Sequence, residues 1–121
     1  SYFFNDNETI KGTLFFVDKL LKHASNLTKR TLVIIPALID MDKISEGKNY
    51  QDLNWYRTIK TITKNTDTQL IDLAEHIPLN NYKNLFFDCD HHWSPEGNKW
   101  AAKVVKEQAY ASKFSKENIL N

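Results

Sequence analysis

Apolar residues recur along this chain with the spacings of helices. Between residues 8 and 25 they fall three and four positions apart, which predicts an amphipathic helix with one buried face. The residues of this face are Ile10, Leu14, Val17, Leu20 and Leu21, widened by Phe15 and Phe16. The same spacing predicts a second helix over residues 50–64 and a third from residue 95 to about residue 110.

Two short stretches between these helices predict buried strands. Residues 31–36 form a continuous apolar run that ends at a proline, which is typical of a buried parallel strand. Residues 68–73 predict a second strand, and the aromatic residues 2–4 predict the end of another. Residues 5–7 then cap the first helix.

Strands and helices alternate along the chain, and this order predicts a doubly wound α/β domain with a parallel sheet. Residues 41–49 predict a surface loop, and residues 112–121 predict a loosely ordered polar tail. Ligands of such sheets bind at the carboxyl ends of the strands. The polar residues 5–6 and 90–92 each follow an apolar run, so both groups are expected at that edge.

Composition limits the classes of partner. The 121 residues suffice for one domain, and the sequence has no apolar stretch long enough to cross a membrane. The 16 basic residues nearly balance the 15 acidic ones and are scattered, which argues against binding of nucleic acid. A small-molecule or glycan partner fits better. One cysteine cannot form an intramolecular disulfide, so cysteine usage leaves the cellular compartment open.

The densest chemistry lies in residues 88–97, where two acids, two histidines and a cysteine precede a helix-start signal. Ser94 supplies a capping hydroxyl and Pro95 suits the first helical position, so a helix is expected to begin there. A neutral imidazole is an effective general base when a carboxylate holds its other nitrogen. Asp90 and His92 are close enough for this pairing. Alternatively, Asp90 caps a turn and His92 packs its ring under Trp93.

Three features of the sequence together resemble a known family. They are the motif Asp90-x-His92-Trp93-Ser94-x-x-Gly97, the paired alanines of the following helix and the upstream strand that ends in Ile-Asp-Leu. They resemble the C-terminal block of the SGNH (GDSL-type) hydrolases and related carbohydrate O-acetyltransferases. The catalytic histidine of that family is followed by glycine five residues later, which His92 and Gly97 match and His91 does not. The common acid position, three residues before the histidine, is Cys89 here. The chain fits the Asp-x-His-Trp variant, in which Asp90 is the partner.

The resemblance implies a three-layer α/β/α fold with a parallel, flavodoxin-like sheet, of which residues 1–121 form the C-terminal part as a single domain. It implies acyl transfer with His92 as base and Asp90 orienting it. The family's Gly-x-Asn-Asp block is matched in part by residues 3–6, so Asn5 is implied as an oxyanion donor, with a helix-capping role as the alternative. Trp93 is expected beside the substrate, and no cofactor or metal is implied.

The sequence departs from the family in its nucleophile, because it contains no Gly-Asp-Ser turn. Ser94 is better used as a helix cap, and the other serines fall on helix ends, in a loop or in the tail. The serine nucleophile is therefore expected on a missing or separate N-terminal segment. Acylated carbohydrates or small esters are the expected substrates, with water or a sugar hydroxyl as acceptor. The family resemblance favours a periplasmic or secreted location.

Two other classes of function stay open. Asp, Cys and His are all metal ligands, so residues 88–92 could hold a structural zinc ion, although adjacent ligands seldom point at one ion. The chain could also be a non-catalytic binding module that has kept the fold without the nucleophile.

Overall fold

Two parallel strands form the sheet of this protein. The structure is a computed structural model that describes residues 2–3, 8–24 and 29–117, with residues 112–117 as backbone only. Leu32 lies opposite Leu70 and Ile34 opposite Asp72, so both strands end at the same edge of the sheet. The elements are α1 (Glu8–His23), β1 (Arg30–Ile34), α2 (Leu38–Ser45), α3 (Asn54–Asn65), β2 (Thr68–Asp72) and α4 (Pro95–Glu117). Within the described residues the fold is a small mixed α/β domain with four α-helices and a two-stranded sheet.

The two strands and three of the helices lie where the periodicity predicted them, because these signals are local. The prediction of a buried strand is wrong for β1, whose residues are half-buried or exposed. Helix α4 extends to Glu117, beyond the predicted end near Tyr110. Tyr2 and Phe3 lie in a turn, so the prediction of a strand there is wrong for these two residues. None of the helices in the described residues has both the length and the apolar character needed to cross a membrane.

The prediction of a surface loop over residues 41–49 is wrong for its first half, which belongs to α2. Met41 is fully buried in the core, and Leu38 and Ile44 pack against the same cluster at helical spacing. The Asp40 carboxylate accepts a hydrogen bond from the backbone N–H of Ala37 at 2.9 Å, which satisfies a donor at the start of the helix. The charged residues and the glycine of this segment favoured a loop in the prediction, so the apolar spacing of a helix was not recognised.

The buried face predicted for α1 is narrower in the structure. Leu21 is buried, and Ile10, Leu14 and Val17 are half-buried. Three residues of the predicted face are exposed instead, Phe15 by 58%, Phe16 by 73% and Leu20 by 66%. The prediction of burial is wrong for these three because they lie on the flanks of the stripe, where no described element covers them. Phe87, which follows the buried Phe86, is exposed as well.

A carboxylate at the end of β2 organises the core. Asp72 is buried and accepts hydrogen bonds from the hydroxyl of Tyr2 at 2.8 Å, from the hydroxyl of Tyr50 and from the backbone N–H of Ala74 at 3.1 Å. Three donors compensate for the loss of water around this carboxylate. The N–H of Tyr2 donates to Asp40 at 2.6 Å. Tyr2 is therefore fixed at the carboxyl edge of the sheet.

Stability is expected to decrease as the pH rises above about 10. Burial, together with the negative charge of Asp72, raises the pKa of Tyr2, Tyr50 and Tyr56 above the ordinary value of 10.0. The unfolded chain then loses protons that the folded protein keeps. The stability is fully present below pH 10, and above it the free energy of unfolding falls by up to about 1.4 kcal/mol per pH unit for each tyrosine.

Urea unfolding at intervals from pH 7 to pH 11 measures this dependence. The Tyr50→Phe variant is expected to show a shallower decrease than the unmodified chain, because one ionising phenol is removed. A free energy of unfolding that stays constant between pH 9.5 and pH 11 would contradict the prediction.

Candidate functional site

The His-rich segment forms a loop that closes on itself. Phe86 and Trp93 form an antiparallel bridge. The backbone N–H of Phe87 donates to the carbonyl of His92 at 2.8 Å, and the N–H of Ser94 donates to the carbonyl of Leu85 at 2.9 Å. These bonds join the two ends of the loop, so its intervening residues are presented together at the surface.

Asp90 and His92 are paired at the tip of this loop. One carboxylate oxygen of Asp90 accepts the backbone N–H of His92 at 3.1 Å, and the other lies 3.3 Å from the imidazole Nδ1. The backbone N–H of His92, assisted by its imidazole, holds the pKa of the Asp90 carboxyl below its ordinary value. A carboxylate held beside Nδ1 is the arrangement that orients a histidine base.

The conformation of His91 makes this pairing possible. Its φ is +60°, in the left-handed region, so the chain reverses between the acid and the second histidine. Both paired side chains are open to solvent, with His92 exposed by 82% and Asp90 by 53%. The structure thus brings Asp90 and His92 together, and it leaves the outer side of the imidazole accessible.

Trp93 fixes the position of the loop on the sheet. Its indole N–H donates to the carbonyl of Pro36 at 2.9 Å, just beyond the end of β1. Its ring stacks on Trp100 of α4 at 6.0 Å between centroids and packs against Phe86 at 5.1 Å. His92 therefore lies near the carboxyl edge of the sheet. A role of Trp93 beside the substrate stays a prediction.

The start of α4 explains the spacing between His92 and Gly97. The Ser94 hydroxyl accepts the backbone N–H of Gly97 at 3.1 Å, which confirms Ser94 as the cap and Pro95 as the first helical residue. A Cβ atom on Gly97 would lie 2.0 Å from the carbonyl oxygen of Leu85 and 3.0 Å from the Trp93 ring. Glycine is needed here because α4 passes directly against the base of the loop.

Other sequence-predicted groups are not brought into this site. Asn5, the predicted oxyanion donor, lies outside the described residues. The Ser94 hydroxyl is engaged in the helix cap, and the Ser45 hydroxyl donates to the carbonyl of Asp42 at 2.7 Å. Within the part of the chain that the structure describes, no group of three or more Asp, Glu, His or Cys residues is arranged to hold a metal ion.

The sequence interpretation missed two groups that shape this edge. Pro36 ends the apolar run but also supplies the carbonyl that holds Trp93. Asp72 interrupts an apolar strand, and an acid at such a position indicates a buried carboxylate that accepts hydrogen bonds.

Comparisons with protein-family models, with curated proteins and with solved structures give no match to this chain.

Proposed function

We propose that this protein supplies the Asp90–His92 dyad of a serine acyl-ester hydrolase or O-acetyltransferase of the SGNH type. The observation that carries the proposal is the contact between the Asp90 carboxylate and His92 Nδ1 at 3.3 Å, on a loop held at the carboxyl edge of the sheet. Acylated carbohydrates or small esters are the proposed substrates. A three-layer arrangement of helices around a larger parallel sheet belongs to the same proposal.

In the proposed mechanism the serine lies on a segment other than these 121 residues. His92 takes the proton of the serine hydroxyl at Nε2 as the oxygen attacks the ester carbonyl, and it returns the proton to the departing alcohol. Asp90 keeps the proton of the imidazole on Nδ1 and stabilises the imidazolium that forms. Asn5 would donate to the tetrahedral oxyanion. Water or a sugar hydroxyl then accepts the acyl group through the same base.

A non-catalytic binding module of the same fold is the second candidate. The observation that favours it is that no serine hydroxyl among the described residues contacts His92. A module of this kind would keep the surface at the carboxyl edge without an activated nucleophile.

Labelling with a fluorophosphonate probe separates the two candidates. The protein is purified from its native source, treated with the probe and digested, and labelled peptides are identified by mass spectrometry. The hydrolase proposal expects a label on a serine outside these residues that disappears in the His92→Ala variant. A label independent of His92, or no label at any concentration of probe, would overturn the hydrolase proposal in favour of the module.

A further inference from the structure

One peptide group just beyond β1 connects a buried acid to the candidate site. The C=O of Pro36 and the N–H of Ala37 belong to the same planar peptide group, in which they point in opposite directions. The carbonyl accepts the indole N–H of Trp93 at 2.9 Å, and the N–H donates to the Asp40 carboxylate at 2.9 Å. Trp93 and Asp40 therefore hold the two sides of a single rigid unit.

The Asp40 carboxylate is held in turn by a distant part of the chain. Its second oxygen accepts the backbone N–H of Tyr2 at 2.6 Å, from 38 positions away in the sequence. Tyr2 is itself fixed at two further points, because its hydroxyl donates to Asp72 at 2.8 Å and its carbonyl accepts the indole N–H of Trp55 at 2.6 Å. The core thus sets the orientation of Asp40, independently of the helix on which Asp40 lies.

A helix-capping role alone does not account for a carboxylate at position 40. The side chain of Asp40 is exposed by only 1%, and burial of a carboxylate is costly. A neutral side chain could satisfy one N–H at the start of a helix. A carboxylate has two acceptor oxygens, so it can receive the N–H groups of Ala37 and Tyr2 together. A negative charge on the N–H side of the peptide also makes the Pro36 carbonyl a stronger acceptor for the indole.

We propose that Asp40 is a positioning residue for His92 and that it acts through the Pro36–Ala37 peptide and Trp93. The carboxylate sets the plane of the peptide, the peptide carbonyl holds the indole, and the indole holds the loop that carries His92. Asp90 orients the imidazole within this loop, whereas Asp40 fixes where the loop stands at the end of β1. The inference rests on the proposed function, because a base must be placed accurately only if it acts on a substrate.

The indole N–H of Trp93 reports on this link directly in NMR spectra. Asp40→Ala is expected to move the indole proton signal upfield and to accelerate its exchange with water about tenfold or more, because the hydrogen bond to Pro36 weakens. Asp42→Ala is the matched control. It removes an acid of the same helix that binds the hydroxyl of Tyr82 at 2.7 Å, and it is expected to leave the Trp93 signal unchanged. An unchanged signal in Asp40→Ala, or equal changes in both variants, would overturn the proposal.

The Trp93→Phe variant tests the link from its other end and leaves Asp40 intact. It removes the indole N–H but keeps an aromatic ring in the same place. Because coupling between two sites is reciprocal, exchange of the Ala37 amide proton is expected to accelerate about tenfold or more. The amide of Thr66, which donates to the carbonyl of Ile62, serves as the reference. Unchanged exchange at Ala37, or equal acceleration at both amides, would overturn the proposal even if Asp40→Ala did not fold.

Steady-state hydrolysis of an acetyl ester by the natively purified protein extends the test to the reaction. Asp40→Ala is expected to lower kcat by about ten- to a hundredfold with little change in KM, whereas Asp42→Ala changes neither. In the Trp93→Phe background, the same Asp40 substitution is expected to cause no further loss, because the link is already broken. Losses that multiply in the double variant would overturn the proposal.

Failure of the hydrolase proposal would give a different result. The unmodified protein would then neither hydrolyse the ester nor react with the fluorophosphonate probe. The two NMR measurements do not use hydrolysis, so they would still decide whether Asp40 fixes the position of Trp93.

Discussion

Replacing His92 with alanine is expected to reduce ester hydrolysis by roughly 10²–10⁴-fold, the usual contribution of a general base. Asp90 would remain at the tip of the loop with no imidazole to orient. The substrate would still bind, so the loss should appear in kcat more than in KM. The measurement is steady-state hydrolysis of an acetyl ester by the natively purified protein, in parallel for the variant and the unmodified protein.

His91 provides the matched control for this experiment. It is the adjacent histidine, and its backbone has a φ of +60°. The imidazole that is paired with the Asp90 carboxylate is that of His92. His91→Ala is expected to leave most of the activity. His91→Asn is a gentler test, because asparagine adopts the left-handed conformation more readily than alanine. If the His91 variants lost activity and His92→Ala kept it, the assignment of the base to His92 would be wrong.

Replacing Gly97 with alanine is expected to destabilise the protein by about 1–3 kcal/mol, in the range of overpacking in a close-packed interior. The added Cβ would lie 2.0 Å from the carbonyl oxygen of Leu85, which is backbone and cannot rotate aside. Either α4 or the base of the loop must move. Urea unfolding gives the free energy change, and the NMR signals of His92 report whether the loop is displaced.

Gly12 supplies the opposite control. It lies within α1, and a Cβ atom built there meets no atom within 4 Å. Gly12→Ala is expected to raise the free energy of unfolding by about 0.5–1 kcal/mol, because alanine favours the helix and nothing obstructs its methyl group. If Gly97→Ala proved as stable as the unmodified chain, the close approach of α4 to Leu85 would be wrong.

Local signals predicted much of the fold. The spacing of apolar residues identifies α1, α3 and both strands, and Ser94-Pro95 places the start of α4 correctly because the cap involves residues three apart. The pairing of Asp90 with His92 is also local, since they lie two positions apart in the sequence. A sequence pattern reports contacts of this kind because both partners lie in one segment.

Contacts between distant segments were not predictable in this way. Asp72 binds the hydroxyl of Tyr2, 70 residues away, and Trp93 binds the carbonyl of Pro36, 57 residues away. From the sequence, Asp72 was predicted in a strand, Tyr2 and Pro36 at strand ends, and Trp93 beside the substrate. Which face of α1 is covered depends equally on what packs there, so the periodicity overestimated the buried face by including Phe15, Phe16 and Leu20.

The closure of the loop between Leu85 and Ser94 bears on the order in which the molecule can assemble. Its ends are joined by hydrogen bonds between residues five to nine positions apart, and its acid and imidazole meet over two positions. Closing so short a loop costs little chain entropy and is fast compared with the pairing of strands that are 38 residues apart in the register of β1 and β2. The loop that pairs Asp90 with His92 can therefore form before β1 and β2 pair. The position of this loop on the sheet is fixed only when the Trp93 indole binds the carbonyl of Pro36.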